Sequence, residues 1–234
     1  VSDPFFFCES LNAADSRVWL EGDEAHHAIS VRRLRVDDAV ALFNGRGLLL
    51  HGTVEKIEGK KKVGVRVLKH VQAPAAAPPL RLACALPKGD RQAVLLDMAT
   101  QLGMDSFTPL LCERAVVKPG ANSLERWQRI CLEACKQSRR VFLPSVNEPA
   151  TLQDVLKSDS VFLLAHPDGE TVGRVLPKLA NAKTITLLIG PEGGFTQSEV
   201  ELARARGAHA ITLGENILRI EAAAVALLAA LRLR

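Results

Sequence analysis

The segment from Leu187 to Glu199 gathers the residue types best suited to holding a ligand. An apolar run stops at Gly190-Pro191-Glu192-Gly193-Gly194-Phe195, and Thr196-Gln197-Ser198-Glu199 follows. Three glycines within residues 190–194 permit unusual backbone angles, or let a ligand lie against bare main chain. Glu192 is the one carboxylate of that loop, placed either to brace it as a hydrogen-bond acceptor or to take a proton. Two further polar loops follow apolar runs: Ala165-His166-Pro167-Asp168-Gly169 and Leu213-Gly214-Glu215-Asn216-Ile217-Leu218-Arg219. Three such loops suit a medium-sized organic ligand held mainly by main-chain groups. There is no GxGxxG after the first strand of this region, no GxxxxGK[ST] and no GxSxG. An ordinary dinucleotide fold, a P-loop and a serine-hydrolase elbow are therefore not indicated.

These loops need strands to end on and helices to start from. Thr184–Ile189 reads as a fully buried strand, and Thr196 with Glu199 as a capping box opening a helix over 198–206. The loop between them then lies at the carboxyl end of a strand, where open α/β sheets place ligands. From Leu80 onward strands and helices alternate. Strands are expected at 80–86, 107–111, 161–165, 184–189 and 210–213. Helices are expected at 91–102, 123–137, 171–179 and from about Arg219. Asp90 and Ser123 stand at two helix starts, and Gly103 and Gly207 at two stops. That alternation predicts an α/β domain with a mostly parallel sheet. Residues 1–72 read differently. Short apolar runs at 5–8, 17–20, 39–43, 48–54 and 63–68 are separated by turn signals such as Asn44-Gly45 and Glu58-Gly59, as in a small β-barrel. A helical stretch over 22–30, with Asp23 at its N-cap, interrupts them. The Pro/Ala-rich residues 73–79 read as a linker. The expected domains are thus 1–72 and 80–234.

At 234 residues, 47% apolar and 24% charged, the chain is ordinary globular material. Its longest apolar run, Ala222–Leu231, falls short of the roughly 20 residues a membrane span needs. No basic segment precedes Phe5-Phe6-Phe7, so no secretory signal is visible. Five cysteines form no CxxC pair and read as reduced thiols of a cytoplasmic protein, with no metal site expected. The net charge is only +4, but Arg32, Arg33 and Arg35 crowd together, and Lys60-Lys61-Lys62 forms a second basic run. Either patch is a solvated surface or a contact for RNA phosphates.

Taken together, these motifs resemble one family. Gly190-Pro191-Glu192-Gly193-Gly194-Phe195, followed by Leu213-Gly214, Ile217-Leu218-Arg219 and Glu221, is similar to the RsmE family of 16S ribosomal RNA uridine-N3 methyltransferases, within the SPOUT (trefoil-knot) superfamily. The likeness extends through Leu86-Pro87-Lys88-Gly89-Asp90-Arg91, Leu102-Gly103, Glu113-Arg114, Glu125-Arg126-Trp127 and Gln137-Ser138, and back to His26–Asp38. Two departures stand out: Gln101 where the family usually has Glu, and Ala222 where it usually has Thr.

The resemblance implies a PUA-like RNA-binding β-barrel at the N-terminus, a knotted C-terminal domain, S-adenosylmethionine as cofactor and a homodimer. It implies cofactor contacts from Ala165, Leu188, Gly190, Glu192, Gly193, Leu213, Gly214, Ile217, Leu218 and Arg219. Arg219 and Glu221 would act on the uridine. Arg32, Arg33, Arg35, Lys88 and Arg140 would meet RNA, or else brace the fold. The alternatives are a knotted RNA-binding protein without activity and a methyltransferase with another RNA target.

Overall fold

The computed structural model describes residues 3–233. The chain forms two compact units, one of Val1–Ala75 with Cys135–Leu143, the other of Ala76–Ala134 with Pro144–Arg234.

The first unit contains β1 (Phe5–Phe7), β2 (Arg17–Glu21), β3 (Ala39–Phe43), β4 (Leu48–Glu58) and β5 (Lys62–Gln72). They form one sheet in the order β1-β3-β4-β5-β2, antiparallel except for the β1–β3 pair. In β4 the side chains of Leu48, Leu50 and Val54 point inward by the two-residue alternation of a half-buried strand. They meet Phe6, Leu20, Leu42 and Val65 in one core. Each such side chain contributes about 1.5–3 kcal/mol by leaving water. Helix α1 (Gly22–His26) runs on into a π-helical turn over His27–Val31. Asp23 does not cap it: Glu21 holds the N-cap position, and Asp23 sits within the first turn. Glu24 does more. One of its oxygens accepts from the Phe7 N–H at 3.1 Å, and the other pairs with the buried Lys136 at 2.8 Å.

Residues 135–143, inside the span read as the second domain, group by contact with the first unit. The Gly47 N–H donates to Val141 O at 3.1 Å, the Leu143 N–H donates to Gly45 O at 2.9 Å, and Arg46 bridges to Phe142. These are backbone contacts, which hydrophobic periodicity does not reveal.

The second unit contains β6 (Leu80–Cys84), α2 (Arg91–Gln101), β7 (Ser106–Leu111), α3 (Ser123–Ser138, whose last residues belong to the first unit), β8 (Ser145–Val146), β9 (Ala150–Thr151) and α4 (Leu152–Val155). There follow β10 (Val161–Thr171), α5 (Val172–Val175), β11 (Ile185–Ile189), α6 (Gln197–Ala205), β12 (His209–Thr212) and α7 (Ile220–Arg232). The strands pair in parallel in the order β12-β10-β11-β6-β7-β8, with β9 also on β7. This is the α/β architecture that the strand–helix alternation predicts. Strand β11 is buried along its whole length, as a central parallel strand must be. After the edge strand β12 the chain returns to mid-sheet, where α7 packs on α2, β6 and β11. Ala224, Leu227, Leu228 and Leu231 form its buried face. Its far end is tied down by Arg232, which meets Asp105 at 2.5 Å and donates to Gly103 O and Pro78 O.

Strand β10 departs from expectation. It does not stop at Ala165. The ladder to β12 breaks after Ala165 and resumes at Glu170, with both residues opposite Ile211. The intervening residues bulge outward, which re-aims side chains at a strand end. Gly169 makes the bulge possible, because a Cβ there would lie 2.4 Å from the Ile211 main chain.

Candidate functional site

The carboxyl ends of β10, β11 and β12 open onto one cavity of about 300 Å³. Its walls are the three loops expected from the sequence: Ala165 to Pro167, Ile189 to Phe195 (Gly193 apart) and Thr212 to Leu218, closed by Ile220 and Ala223 of α7.

The middle loop is rigidly built. The Gly194 N–H donates to Pro191 O at 2.8 Å, and Gly194 takes a φ of +69°. Phe195 is buried and packs so closely on Gly190 that a Cβ there would lie 2.9 Å from the ring. The capping box forms as read: Thr196 accepts from the Glu199 N–H, and Glu199 accepts from the Thr196 N–H at 2.8 Å. The loop after β7 braces the same turn from outside. Arg114 donates to Gly193 O at 2.9 Å, and the Glu113 N–H donates to the other Glu199 oxygen at 3.0 Å. Arg114 is thus a bracing residue. Two cysteines lie nearby and are not nucleophiles. Burial, then Cys112 and Glu221, push the Cys84 thiol well up. Burial and then Glu199 push Cys112 up to about 12.

Seven of the ten residues expected to hold a cofactor line the cavity: Ala165, Gly190, Glu192, Leu213, Gly214, Ile217 and Leu218. Leu188 lies one residue inside the sheet. Its side chain is fully buried and its backbone sits between Leu164 and Ala83. Gly193 turns away toward Arg114. Arg219 is exposed at the N-cap of α7, and its guanidinium bonds to none of the described residues. Glu221, in the first turn of α7, is mostly buried, and its Oε2 has no hydrogen-bond partner. An orphaned buried carboxylate oxygen costs on the order of 1–3 kcal/mol, a cost that a donor on a ligand would remove. Ile217 and Leu218 stand exposed at the cavity mouth. Among the residues expected at RNA, Arg32, Arg33, Arg35 and Lys88 are exposed, the first three on the barrel unit, and Arg140 is half-buried there.

Sequence reasoning passed over two side chains of the site. His166 lines the cavity, and its Nδ1 accepts from the Asp168 N–H at 3.2 Å, which leaves Nε2 to carry the proton of a neutral ring. Arg91, at the start of α2, lies 3.6 Å from Glu192 and 3.7 Å from Glu221. Both residues stand in segments the sequence had marked, but their partners are distant in the chain.

Comparison with known proteins decides the family. Residues 75–232 match the RNA methyltransferase domain model, and residues 20–68 match the RNA methyltransferase PUA domain model. A ribosomal RNA small subunit methyltransferase E of Rickettsia conorii is 34% identical over 97% of this chain and 94% of its own. The chain belongs to the ribosomal RNA small subunit methyltransferase E family. Among solved structures, a member from Neisseria gonorrhoeae bound to S-adenosyl methionine is 26% identical. It aligns with a TM-score of 0.89 over 99% of this chain and 98% of that one. A methyltransferase of Legionella pneumophila in complex with the bound cofactor SAM is 27% identical, with a TM-score of 0.88 over 100% and 98%. The fold of the family, a SPOUT α/β domain and a PUA-like domain in one chain, is the fold of this chain.

Proposed function

We propose that the protein is an S-adenosylmethionine-dependent methyltransferase acting on N3 of a uridine in 16S ribosomal RNA, in the cytoplasm. The observation carrying this reading is the cavity at the ends of β10, β11 and β12 in a chain of this family. Its volume is at the lower end of the range for organic ligands. Gly190, Gly194 and Gly214 line the cavity without side chains, which suits a cofactor lying against main chain, and Gly190 also makes room for the Phe195 ring. The main chains of Gly190, Leu213, Gly214 and Leu218 hold the cofactor, with Ala165, Glu192 and Ile217 around it. When bound, S-adenosylmethionine supplies a methyl group already activated on a sulfonium, so no metal is required.

The protein's own task is the uridine. N3 carries an imide proton and is a weak nucleophile until that proton leaves. Glu221, behind the cavity-lining Ile220 and Ala223 of α7, is the acceptor: its buried Oε2 is unpaired, and the base must press past that lining to reach it. Arg219, exposed and uncommitted, offsets negative charge on the uridine or its phosphate. The target base must be unpaired or flipped to reach a strand-end cavity. The barrel unit supplies the phosphate contacts through Arg32, Arg33, Arg35 and Arg140, and Lys88 adds another from the second unit.

We also place a second copy on the outer face of α2 and α7. Val94 and Met98 on α2, and Ala222 and Leu233 at the two ends of α7, are exposed apolar positions on two helices that pack together. No helix among the described residues is long and apolar enough to cross a membrane. Calorimetric titration with S-adenosylmethionine tests the cofactor assignment. Saturable binding that is lost in Gly190→Val is expected, and the absence of any binding by the wild-type protein would overturn it.

A further inference from the structure

We propose that Arg91 is a positioning residue for methyl transfer, acting through Glu221. This rests on the reading of Glu221 as proton acceptor. Arg91 opens α2 at the carboxyl end of β6, the strand beside β11. Its guanidinium reaches three separate segments. Nη2 faces Glu192 of the cofactor loop at 3.6 Å, Nη1 faces Glu221 of α7 at 3.7 Å, and Nε donates to Lys88 O at 3.3 Å. One planar cation thus stands between two carboxylates, a geometry that guanidinium meets and a lysine ammonium does not.

The base of this arm is itself fixed. The neighbouring Gln92 is buried. Its Oε1 accepts from Arg126 at 2.8 Å and from the indole of Trp127 at 3.2 Å, while its Nε2 donates to Pro87 O at 3.1 Å. The start of α2 is therefore held by a satisfied buried network, and Arg91 projects from a rigid mount. At Glu221 the consequence is directional. Arg91 faces Oε1, while Oε2 is buried and left open. The arginine thereby selects which oxygen is presented to the base. Without it, a mostly buried carboxylate loses its counter-charge and is free to turn.

The two ion pairs are longer than hydrogen bonds, so Arg91 steers by charge and orientation in this state, and closer contact in the substrate complex is compatible with that role. Its position over Glu192 also couples Glu221 to the loop that holds the cofactor. Neither Arg91 nor Glu221 is among the residues lining the cavity. Arg91 therefore acts on the reaction through its carboxylate partners.

The test is a double-mutant cycle on the full-length protein. Single-turnover transfer to unmethylated small ribosomal subunits is measured at saturating S-adenosylmethionine for wild type, Arg91→Ala, Arg91→Lys, Glu221→Gln and Arg91→Ala/Glu221→Gln. Arg91→Ala is expected to slow transfer by about 30–100-fold, the scale of a misplaced catalytic group. Cofactor affinity, read by calorimetry, should change by less than about 5-fold, a smaller effect than on rate. In the Glu221→Gln background the same change should cost less than about 2-fold, because the two residues act as one unit. Arg91→Lys, which keeps the charge and protects folding, should be intermediate. Arg91→Ala within 3-fold of wild type, or losses that multiply in the double variant, would overturn the proposal. Full activity in Glu221→Gln would instead remove Glu221 from the chemistry, and the role of Arg91 with it.

Discussion

Gly169→Ala tests whether the bulge in β10 builds the cavity. The added Cβ would lie 2.4 Å from Ile211 N and C and 2.5 Å from its Cα, where ordinary contacts begin at 3.4 Å. About 1 Å must therefore be found. All three atoms are main chain of the neighbouring strand, so no side chain can swing aside. Strands β10 and β12 must separate where Glu170 and Thr171 pair with Ile211 and Thr212. Losing about two ladder bonds costs roughly 1–3 kcal/mol, and the overpacking costs about 1–3 kcal/mol more. The expected loss is thus about 2–6 kcal/mol, or roughly 5–20 °C in the melting temperature of a unit this size. Cofactor binding should weaken with it, since His166 on one side and Leu213 on the other are set by this pairing. Gly173→Ala is the control. Nothing lies within 4 Å of its added Cβ, it sits in helix α5, and it should be neutral or stabilising by about 0.4–1 kcal/mol. The two are compared by urea unfolding and by calorimetry with S-adenosylmethionine. Equal stability of Gly169→Ala and Gly173→Ala would refute the reasoning.

Two further outcomes are expected. With its thiol pushed up to about 12 from an ordinary 9.0, Cys112 should react with iodoacetamide at pH 8 about 1,000-fold more slowly than the same cysteine in the urea-unfolded chain, as read by peptide mass spectrometry. The rate should climb as pH rises toward 12, because only the thiolate reacts, and folded-state labelling within about 10-fold of the unfolded rate would contradict this. Replacing Arg32, Arg33 and Arg35 together with Ala should reduce the slope of log affinity for 16S RNA against log salt by about 2, while cofactor binding is unchanged. An unaltered slope would show that these arginines are only a solvated surface.

How much of this was legible in the sequence depended on the range of the interaction. The Thr196–Glu199 capping box is closed within four residues, and the structure forms it as read. The three ligand loops were visible because each follows a strand whose apolar run is local, and a parallel sheet brings such ends to one edge. The bulge of β10 was not visible. Pro167 and Gly169 read as a loop, and only the Ile211 main chain, some forty residues on, shows that the ladder resumes. That residues 135–143 group by contact with the first unit was not visible, because backbone bonds to Gly45 and Gly47 leave no mark on side-chain pattern. Arg91 was quoted in a motif but given no role, since its partners are Glu192 and Glu221. Sequence shows that a cation exists. Only the fold shows that it stands between two carboxylates, one of which has an unpaired buried oxygen.

The central claim is that this site methylates one uridine of small-subunit RNA at N3. Its most direct measurement is nucleoside mass spectrometry of 16S RNA from unmethylated small subunits after incubation with the protein and S-adenosylmethionine. The account predicts N3-methyluridine at a single position, with none formed by Glu221→Gln. A methyl group on another atom, or an unmodified RNA in the presence of bound cofactor, would contradict it.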